Sequence, residues 1–369
     1  MYNALNFKYI NSPTFEIVFS GMEFSEKVLY WYHEHKRELP WRKTKDPYKI
    51  WLSEVMLQQT RVAQGLPYYE KFTQRFPTVY DLAGAGEQEV LKLWQGLGYY
   101  SRARNMHATA KIVVEQYDGE FPKTYTELLR LKGVGDYTAS AIASICFNEP
   151  EPVVDGNVYR VLARYFGVDI PINSPEGIKY FKALAHKVMN IEQIRDYNQG
   201  IMEFGAIQCA PKKPYCMLCP LHDSCVAYAS NLTQVLPVKL KKGKIKERFF
   251  NYLVILDQHD NTLLEQREGK GIWQGLYQFP LLETSEVIND ITLKHALNDK
   301  FSPMEFNSID LYNKDIIVHK LTHQHLNTRF WILKTDEVVQ EAISWGKVTE
   351  YPVPVLIADF IKRFKNHYF

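Results

Sequence analysis

No stretch of this 369-residue chain approaches the ~20 consecutive apolar residues that span a bilayer, so nothing in it marks a membrane protein. The first residues lack a basic segment followed by an apolar one, which leaves secretion unsupported and favours a cytoplasmic protein. Net charge is slight: 44 Lys and Arg against 42 Asp and Glu give +2, too little by itself to argue for nucleic acid. Cysteine is scarce, with five in all, and four of them are crowded into one stretch. What the chain does have is 46% hydrophobic and 14% aromatic residues, enough for sizeable cores, and the length for two or three domains.

Charge is unevenly spread. Residues 231–248 read NLTQVLPVKLKKGKIKER, with Lys239, Lys241, Lys242, Lys244, Lys246 and Arg248 against the single acid Glu247. Such a run is either a solvated linker or a connector lying along a phosphate backbone. Before it the pattern is helical almost throughout. Asp46-Pro47 is a helix start, with Asp as N-cap and Pro at the first helical position. After Asp155, apolar residues recur at helical spacing (Val158, Val161, Leu162, Tyr165 and Phe166), while Arg160 and Arg164 face elsewhere. Beyond the connector the texture changes. Residues 249–256, 262–266 and 329–334 read as strands, and 352–364 as a closing helix. Residues 1–21, ahead of a second methionine at Met22, read as a poorly ordered extension. The expected order is that extension, a helical part over 22–230, the basic linker 231–248, and a smaller α+β domain over 249–369.

Four features carry chemistry. Cys209, Cys216, Cys219 and Cys225 have the spacing C-x6-C-x2-C-x5-C, and soft thiolates gathered in this way bind zinc or an iron–sulfur cluster. The remaining Cys146 sits in an apolar segment and reads as a core residue. Leu131-Lys132-Gly133-Val134-Gly135 lies between helical segments at 126–130 and 137–147. Its two glycines allow a tight turn of positive φ that feeds a helix N-terminus, a natural anion site beside the charge of Lys132. Glu54 has Ile50, Trp51, Leu57 and Gln58 as helical neighbours, so its face is apolar. A carboxyl buried there has the raised pKa a general acid needs, unless it is simply bonded to a buried partner. Asp155 heads a helix, where capping is the commoner role. Together the two carboxyls match the demand of glycosidic cleavage: one protonates the departing group, the other stabilises positive charge on the sugar.

Pro40-Trp41-Arg42, the run Ser53-Glu54-Val55-Met56-Leu57-Gln58-Gln59-Thr60, Gly96-Leu97-Gly98-Tyr99-Tyr100-Ser101-Arg102, Val154-Asp155-Gly156-Asn157-Val158, LKGVG and the cysteine loop occur together and in order. Over residues 22–229 they resemble the MutY adenine DNA glycosylases of the endonuclease III, helix-hairpin-helix superfamily. The C-terminal part resembles that family's Nudix-like recognition domain more loosely. The resemblance implies an all-α helix-hairpin-helix glycosylase domain with a [4Fe–4S] cluster on Cys209, Cys216, Cys219 and Cys225, followed by an α+β Nudix-like domain.

It further implies that Glu54 protonates adenine at N7 and Asp155 stabilises the sugar cation, with Asn157 and Tyr137 in support. Arg42 and Gln199 would contact a flipped adenine, and Gln59 and Tyr99 would wedge the opposite stack. Lys132, Gly133, Val134 and Gly135 would hold the DNA backbone. Leu321, Thr322 and His323 match a Phe-Ser-His triplet that probes 8-oxoguanine, with Leu in place of Phe. The partner implied is double-stranded DNA with adenine opposite 8-oxoguanine or guanine, bound by a monomer. Strand-cleaving relatives carry a lysine where this chain has Tyr137, and a phenol forms no imine, so a monofunctional enzyme is implied. Residues 281–297 lack the REUxEE acids that bind magnesium in Nudix hydrolases, so that domain is expected to bind without hydrolysing. Two other readings stand beside this one. They are a glycosylase of the same fold for another base, and a non-catalytic cluster-bearing DNA-binding protein.

Overall fold

The computed structural model describes residues 14–241, 243 and 245–368. Lys242 and Lys244 of the basic run, and 1–13 of the expected extension, lie outside the described residues; 14–21 belong to the first helix. The chain divides into two compact units, one formed by residues up to Gln59 with 112–241, the other by 60–111 with 242 onward. Residues 60–111 are helical, as their pattern suggests, and cluster with the strand-rich part of the chain.

In chain order the helices are α1 (Thr14–His35), α2 (Pro47–Leu57), α3 (Val62–Arg75), α4 (Val79–Gly84), α5 (Glu87–Leu93), α6 (Ser101–Tyr117), α7 (Tyr125–Leu128), α8 (Asp136–Phe147), α9 (Gly156–Phe166), α10 (Pro175–Val188), α11 (Ile194–Ile207) and α12 (Val226–Ala229). In the first unit α8 is the centre. All eight residues from Thr138 to Ile145 are buried, and α2, α7 and α11 pack around it. Its Ala and Ser side chains are small enough to let those neighbours come close. Helix α2 starts as its sequence suggests, with Asp46 Oδ1 accepting from Tyr48 N at 3.0 Å and Pro47 at the first position. α11 also packs on α1 and α9.

Among the described residues the second unit contains nine strands. β1 (Lys246–Leu256), β5 (Leu281–Thr284), β6 (Ser308–Leu311), β7 (Ile317–Lys320) and β8 (Gln324–Lys334) form one sheet. Its order is β5-β1-β8-β6, and β7 follows β6 along the same edge of β8. β2 (Asn261–Thr262) pairs with β9 (Ile343–Ser344), and β3 (Glu265–Gln266) with β4 (Tyr277–Gln278). The last three residues of the basic run, 246–248, therefore already lie in β1. β1 and β8 are parallel neighbours, and β1 is buried without a break from Phe250 to Leu256, as expected of a strand covered on both faces.

The covers are α13 (Asp290–Phe301) and α14 (Val355–Tyr368). On one face Leu253, Ile255, Trp331 and Leu333 pack with Leu293 and Leu297 of α13. On the other, Phe330 stacks on Phe360 of α14 at 4.0 Å between ring centroids, and on Tyr252 at 5.3 Å. Three side chains of the helical segment fasten it to this sheet-bearing part by donating to backbone carbonyls. Arg104 reaches Gln274, Lys92 reaches Thr349 and Tyr351, and Gln88 reaches Gly275.

Candidate active site

Glu54 sits in the middle of α2 and is only 7% exposed. Tyr137, at the start of α8, donates its hydroxyl to Glu54 Oε2 at 2.5 Å. Burial pushes the Glu54 carboxyl up to about 7, and the negative charge of Asp155 adds to the rise. The Tyr137 bond and the charge of Arg42 pull the other way without cancelling it. Burial and the two nearby carboxyls hold the Tyr137 phenol well above its usual range, so it stays a donor.

Asp155 is the N-cap of α9, accepting from Asn157 N and Val158 N at 2.8 Å each. The capping role is real, and the charge of Asp155 also reaches Glu54 and Tyr137. Asn157 Nδ2 donates to its second oxygen at 2.8 Å. Burial raises the Asp155 carboxyl, while these three donors and Arg160 favour its ionised form. The two carboxyls inferred from separate motifs are thus brought together, one dry and short of donors, the other supplied with three.

Asn157 is itself fixed from two sides. Arg160 donates to its Oδ1 at 2.9 Å, and also to the carbonyls of Gly205 at 2.5 Å and Cys209 at 2.8 Å. Gly205 of α11 lies against it so closely that a Cβ there would stand 2.7 Å from Asn157 Cβ and 2.9 Å from its carbonyl oxygen. Arg160 and Arg164, which the helical pattern turned away from the apolar face, are both buried. Arg164 donates to the carbonyls of Ala210, Pro211 and Leu236 and, at 3.4 Å, to Cys209 Sγ. Their side chains thus form the seat of the cysteine loop.

Arg42, in the 3-10 turn Pro40–Arg42, lies over the Tyr32 ring at 5.5 Å, and Tyr32 donates to Gln199 Oε1 at 3.5 Å. The charge of Arg42 reaches Glu54, and Gln199 is tied to Arg42 through the Tyr32 ring. Sequence reasoning missed Glu203, four residues beyond Gln199 on the same face of α11. Its carboxylate takes bidentate hydrogen bonds from Arg42 and from Arg37. The i,i+4 relation to Gln199 was the available signal.

The hairpin Lys132-Gly133-Val134-Gly135 leads directly into α8. Only Gly133 takes the left-handed conformation, with φ +76°; Gly135 is extended, at φ −95° and ψ −179°, as the N-cap residue. The expectation of two positive-φ glycines thus holds at one. Val134 is buried and donates its N–H to Leu131 O, while Lys132 is exposed. Gln59 follows the end of α2 at φ +57°.

Cys209, Cys216, Cys219 and Cys225 are all free thiols, half-buried within one loop that includes the 3-10 turns Cys216–Leu218 and His222–Ser224. Burial and the neighbouring thiols raise Cys219 to about 12. No group of three potential ligand side chains among the described residues is placed for a single metal ion. A four-iron cluster asks for something different, one thiolate at each iron, and this donor set fits it.

Tyr99, Thr322 and His323 lie in the second unit. Tyr99 has φ +48° and is half-exposed, on a turn held by Trp94 Nε1 and Arg102 donating to Gly98 O. Its hydroxyl is 2.9 Å from Thr322 Oγ1. Residues 321–323 form the tip of the β7–β8 hairpin, with the flanking His319 and Lys320 in β7 and Gln324 and His325 in β8.

Residues 52–182 match the HhH-GPD superfamily base excision DNA repair protein family, and residues 251–363 match the NUDIX domain family. The adenine DNA glycosylase of Buchnera aphidicola subsp. Baizongia pistaciae is 34% identical over 361 residues, covering 94% of this chain and 98% of that one. The chain belongs to the MutY-type adenine DNA glycosylase family. The Mus musculus adenine DNA glycosylase is 31% identical, over 93% of this chain and 78% of its own. Among solved structures, a thermostable thymine-DNA glycosylase is 31% identical with a TM-score of 0.54, covering 59% of this chain and all of that one. A non-covalent endonuclease III–DNA complex, at 21% identity and a TM-score of 0.51 over 58% of this chain and 98% of that one, shares the fold. The protein is a DNA glycosylase with an endonuclease III-like helical portion and a Nudix-like C-terminal domain.

In this MutY-type enzyme the contact between Gly205 and Asn157 tests how tightly the site is held. Gly205→Ala forces the first turn of α9 to shift. Base release in single turnovers is expected to fall by about 10²-fold, against an overpacking cost of about 1–3 kcal/mol in denaturant unfolding. Unchanged release from a folded variant would show that this close approach does not position Asn157.

Proposed function

We propose that this glycosylase removes adenine mispaired with 8-oxoguanine or guanine, by flipping it out of duplex DNA and protonating it as the glycosidic bond breaks. The observation that carries the reading is a buried acid, Glu54, bonded to the Tyr137 phenol and facing a donor-rich carboxylate, Asp155. Flipping suits this site because the reacting atoms are out of reach in the stack, and unpairing costs least at a mismatch.

Glu54, protonated near neutral pH, gives its proton to N7 of the bound adenine. The bond from the sugar to N9 then breaks with its electron pair leaving on the base. Positive charge left on the sugar faces the Asp155 carboxylate, fixed by Asn157 and Val158. Water adds to the sugar and gives up a proton to the Glu54 carboxylate, leaving an abasic site and the acid restored. Arg42 and Gln199 hold the adenine, and the hairpin at Lys132–Gly135 holds the phosphate backbone. With a phenol at Tyr137 in place of an amine, the enzyme is monofunctional.

Gln59 and Tyr99 occupy the gap in the stack. Both are non-glycine residues in the left-handed region, an uncommon conformation that costs energy. Thr322 and His323 read the opposite base, and the Tyr99–Thr322 contact supports assigning wedge and reader to one place. Cys209, Cys216, Cys219 and Cys225 hold a [4Fe–4S] cluster. When bound, it supplies metal–thiolate links that hold the loop together.

Each of these assignments has its own test. Single-turnover release by wild type should fall as pH rises through about 7, because the acid must keep its proton. Glu54→Gln should bind the mismatched duplex, lose ~10²–10⁴-fold in rate and lose that pH limb, and borohydride should trap neither protein on DNA. Activity within tenfold of wild type, or efficient trapping, would overturn the acid or the monofunctional reading respectively. Anaerobically purified protein should contain about four irons per chain, and stoichiometric zinc without iron would refute the cluster. Thr322→Ala combined with His323→Ala should slow release opposite 8-oxoguanine more than opposite guanine, by roughly 1–3 kcal/mol of discrimination. Equal slowing on both duplexes would remove this loop from lesion reading.

A further inference from the structure

Glu203 is not part of the acid–carboxylate pair, yet it is the most heavily hydrogen-bonded carboxylate near it. Its side chain is 1% exposed. Oε1 accepts from Arg37 Nε at 2.7 Å, Arg37 N at 3.1 Å and Arg42 Nη1 at 3.0 Å; Oε2 accepts from Arg37 Nη2 at 2.6 Å and Arg42 Nη2 at 2.7 Å. Arg42 Nη1 also donates to Arg37 O at 2.8 Å. One buried carboxylate thus serves two guanidiniums, and the second of them, Arg42, is close enough for its charge to act on Glu54.

A guanidinium beside a buried carboxylic acid is a hazard. It invites the acid to ionise and form an ion pair, the usual end state for an Arg–carboxylate encounter in a dry pocket. Here the Arg42 fork is already occupied. We infer that Glu203 is a positioning residue: it fixes the Arg42 guanidinium flat in the base pocket and keeps it from pairing with the acid Glu54.

Several features support this role. Burial alone would push Glu203 up, but Arg37 and Arg42 together bring it down to about 2, so it is ionised wherever the enzyme works. Arg37 supplies the second cation, which makes the group +1 overall and keeps Glu203 compensated. The charged and titratable groups that act on Glu54 are Tyr137 from α8, Asp155 from the head of α9, and Arg42 from the 3-10 turn, while Cys146 of α8 feels the charge of Glu54 in turn. Burial keeps the Cys146 thiol neutral and Tyr137 is a neutral donor, which leaves Arg42 as the cation within reach of the acid. α11 carries both Gln199 and Glu203, so one helix face sets the base-facing amide and restrains the base-facing cation.

This inference rests on the proposed adenine chemistry, and the experiment separates the two. Single-turnover adenine release is followed across pH for the full-length wild type, Glu203→Gln, Glu203→Asp, Arg42→Met and the double variant Arg42→Met/Glu203→Gln. In Glu203→Gln the freed guanidinium turns to Glu54, stabilises its carboxylate, and moves the alkaline limb to lower pH by at least about half a unit. Glu203→Asp keeps the charge and restores the limb. Without Arg42 there is no cation to restrain, so Arg42→Met and the double variant should share one limb. If Glu203→Gln does not accumulate folded, Arg42→Met and the double variant still test the inference, because any difference between their limbs overturns it. An unmoved limb in folded Glu203→Gln, or a Glu203 effect that persists without Arg42, overturns the inference. Failure of wild type to release adenine would instead overturn the functional reading beneath it.

Discussion

A carboxylic acid keeps its proton near neutral pH only if water and cations are kept from it, and the first unit is arranged around that exclusion at Glu54. Helix α2 places the group against the central helix α8, and three of its four neighbours on the helix face, Ile50, Trp51 and Leu57, are apolar. The one hydroxyl admitted is a phenol too buried to ionise. A stronger local interaction would defeat the purpose, because each added donor or positive charge would favour the carboxylate. The restraint on Arg42 and the raised Glu54 pKa are therefore two sides of one requirement, although the residues come from the 3-10 turn, α2 and α11, segments far apart in sequence.

Asp155 solves the opposite problem in the same space. In the proposed mechanism it is charged while partly buried, and the free N–H groups at the head of α9 supply what water would otherwise provide. The close packing of Gly205 on Asn157 and the reach of Arg160 extend this head into α11 and the cysteine loop. Loop and α9 are thus joined directly by two arginines, Arg160 and Arg164, rather than by a long relay.

Much of the catalytic half is legible in the sequence because it is written in local patterns. The cap at Asp46, the apolar face around Glu54, the helix after Asp155 and the cysteine spacing each need only a few consecutive residues. Legibility ends where the information is tertiary. Arg160 and Arg164 stand off the apolar stripe of α9, and only the fold reveals that the second face meets backbone carbonyls rather than solvent. Glu203 carries no motif, since its meaning comes from Arg37 and Arg42, more than 160 residues away. Gly135 reads like a second turn glycine, and its extended backbone is visible only once the helix start is known. In the C-terminal part β1, β8 and α14 follow from apolar runs, but strand order and the clustering of 60–111 with that part depend on pairings no local pattern encodes.

The three donors on Asp155 bear on how the transition state is met. In water, a charge forming on a sugar ring would be answered by solvent molecules turning toward it, and that turning is a large part of the barrier. At Asp155 the dipoles are two backbone amides and one side-chain amide, already aligned when the helix formed and unable to relax elsewhere. Reorganisation energy is thereby moved out of the reaction and into folding. If Asp155 meets that charge as proposed, the first turn of α9 is a frozen solvent shell for the carboxylate, in place before any charge forms on the sugar.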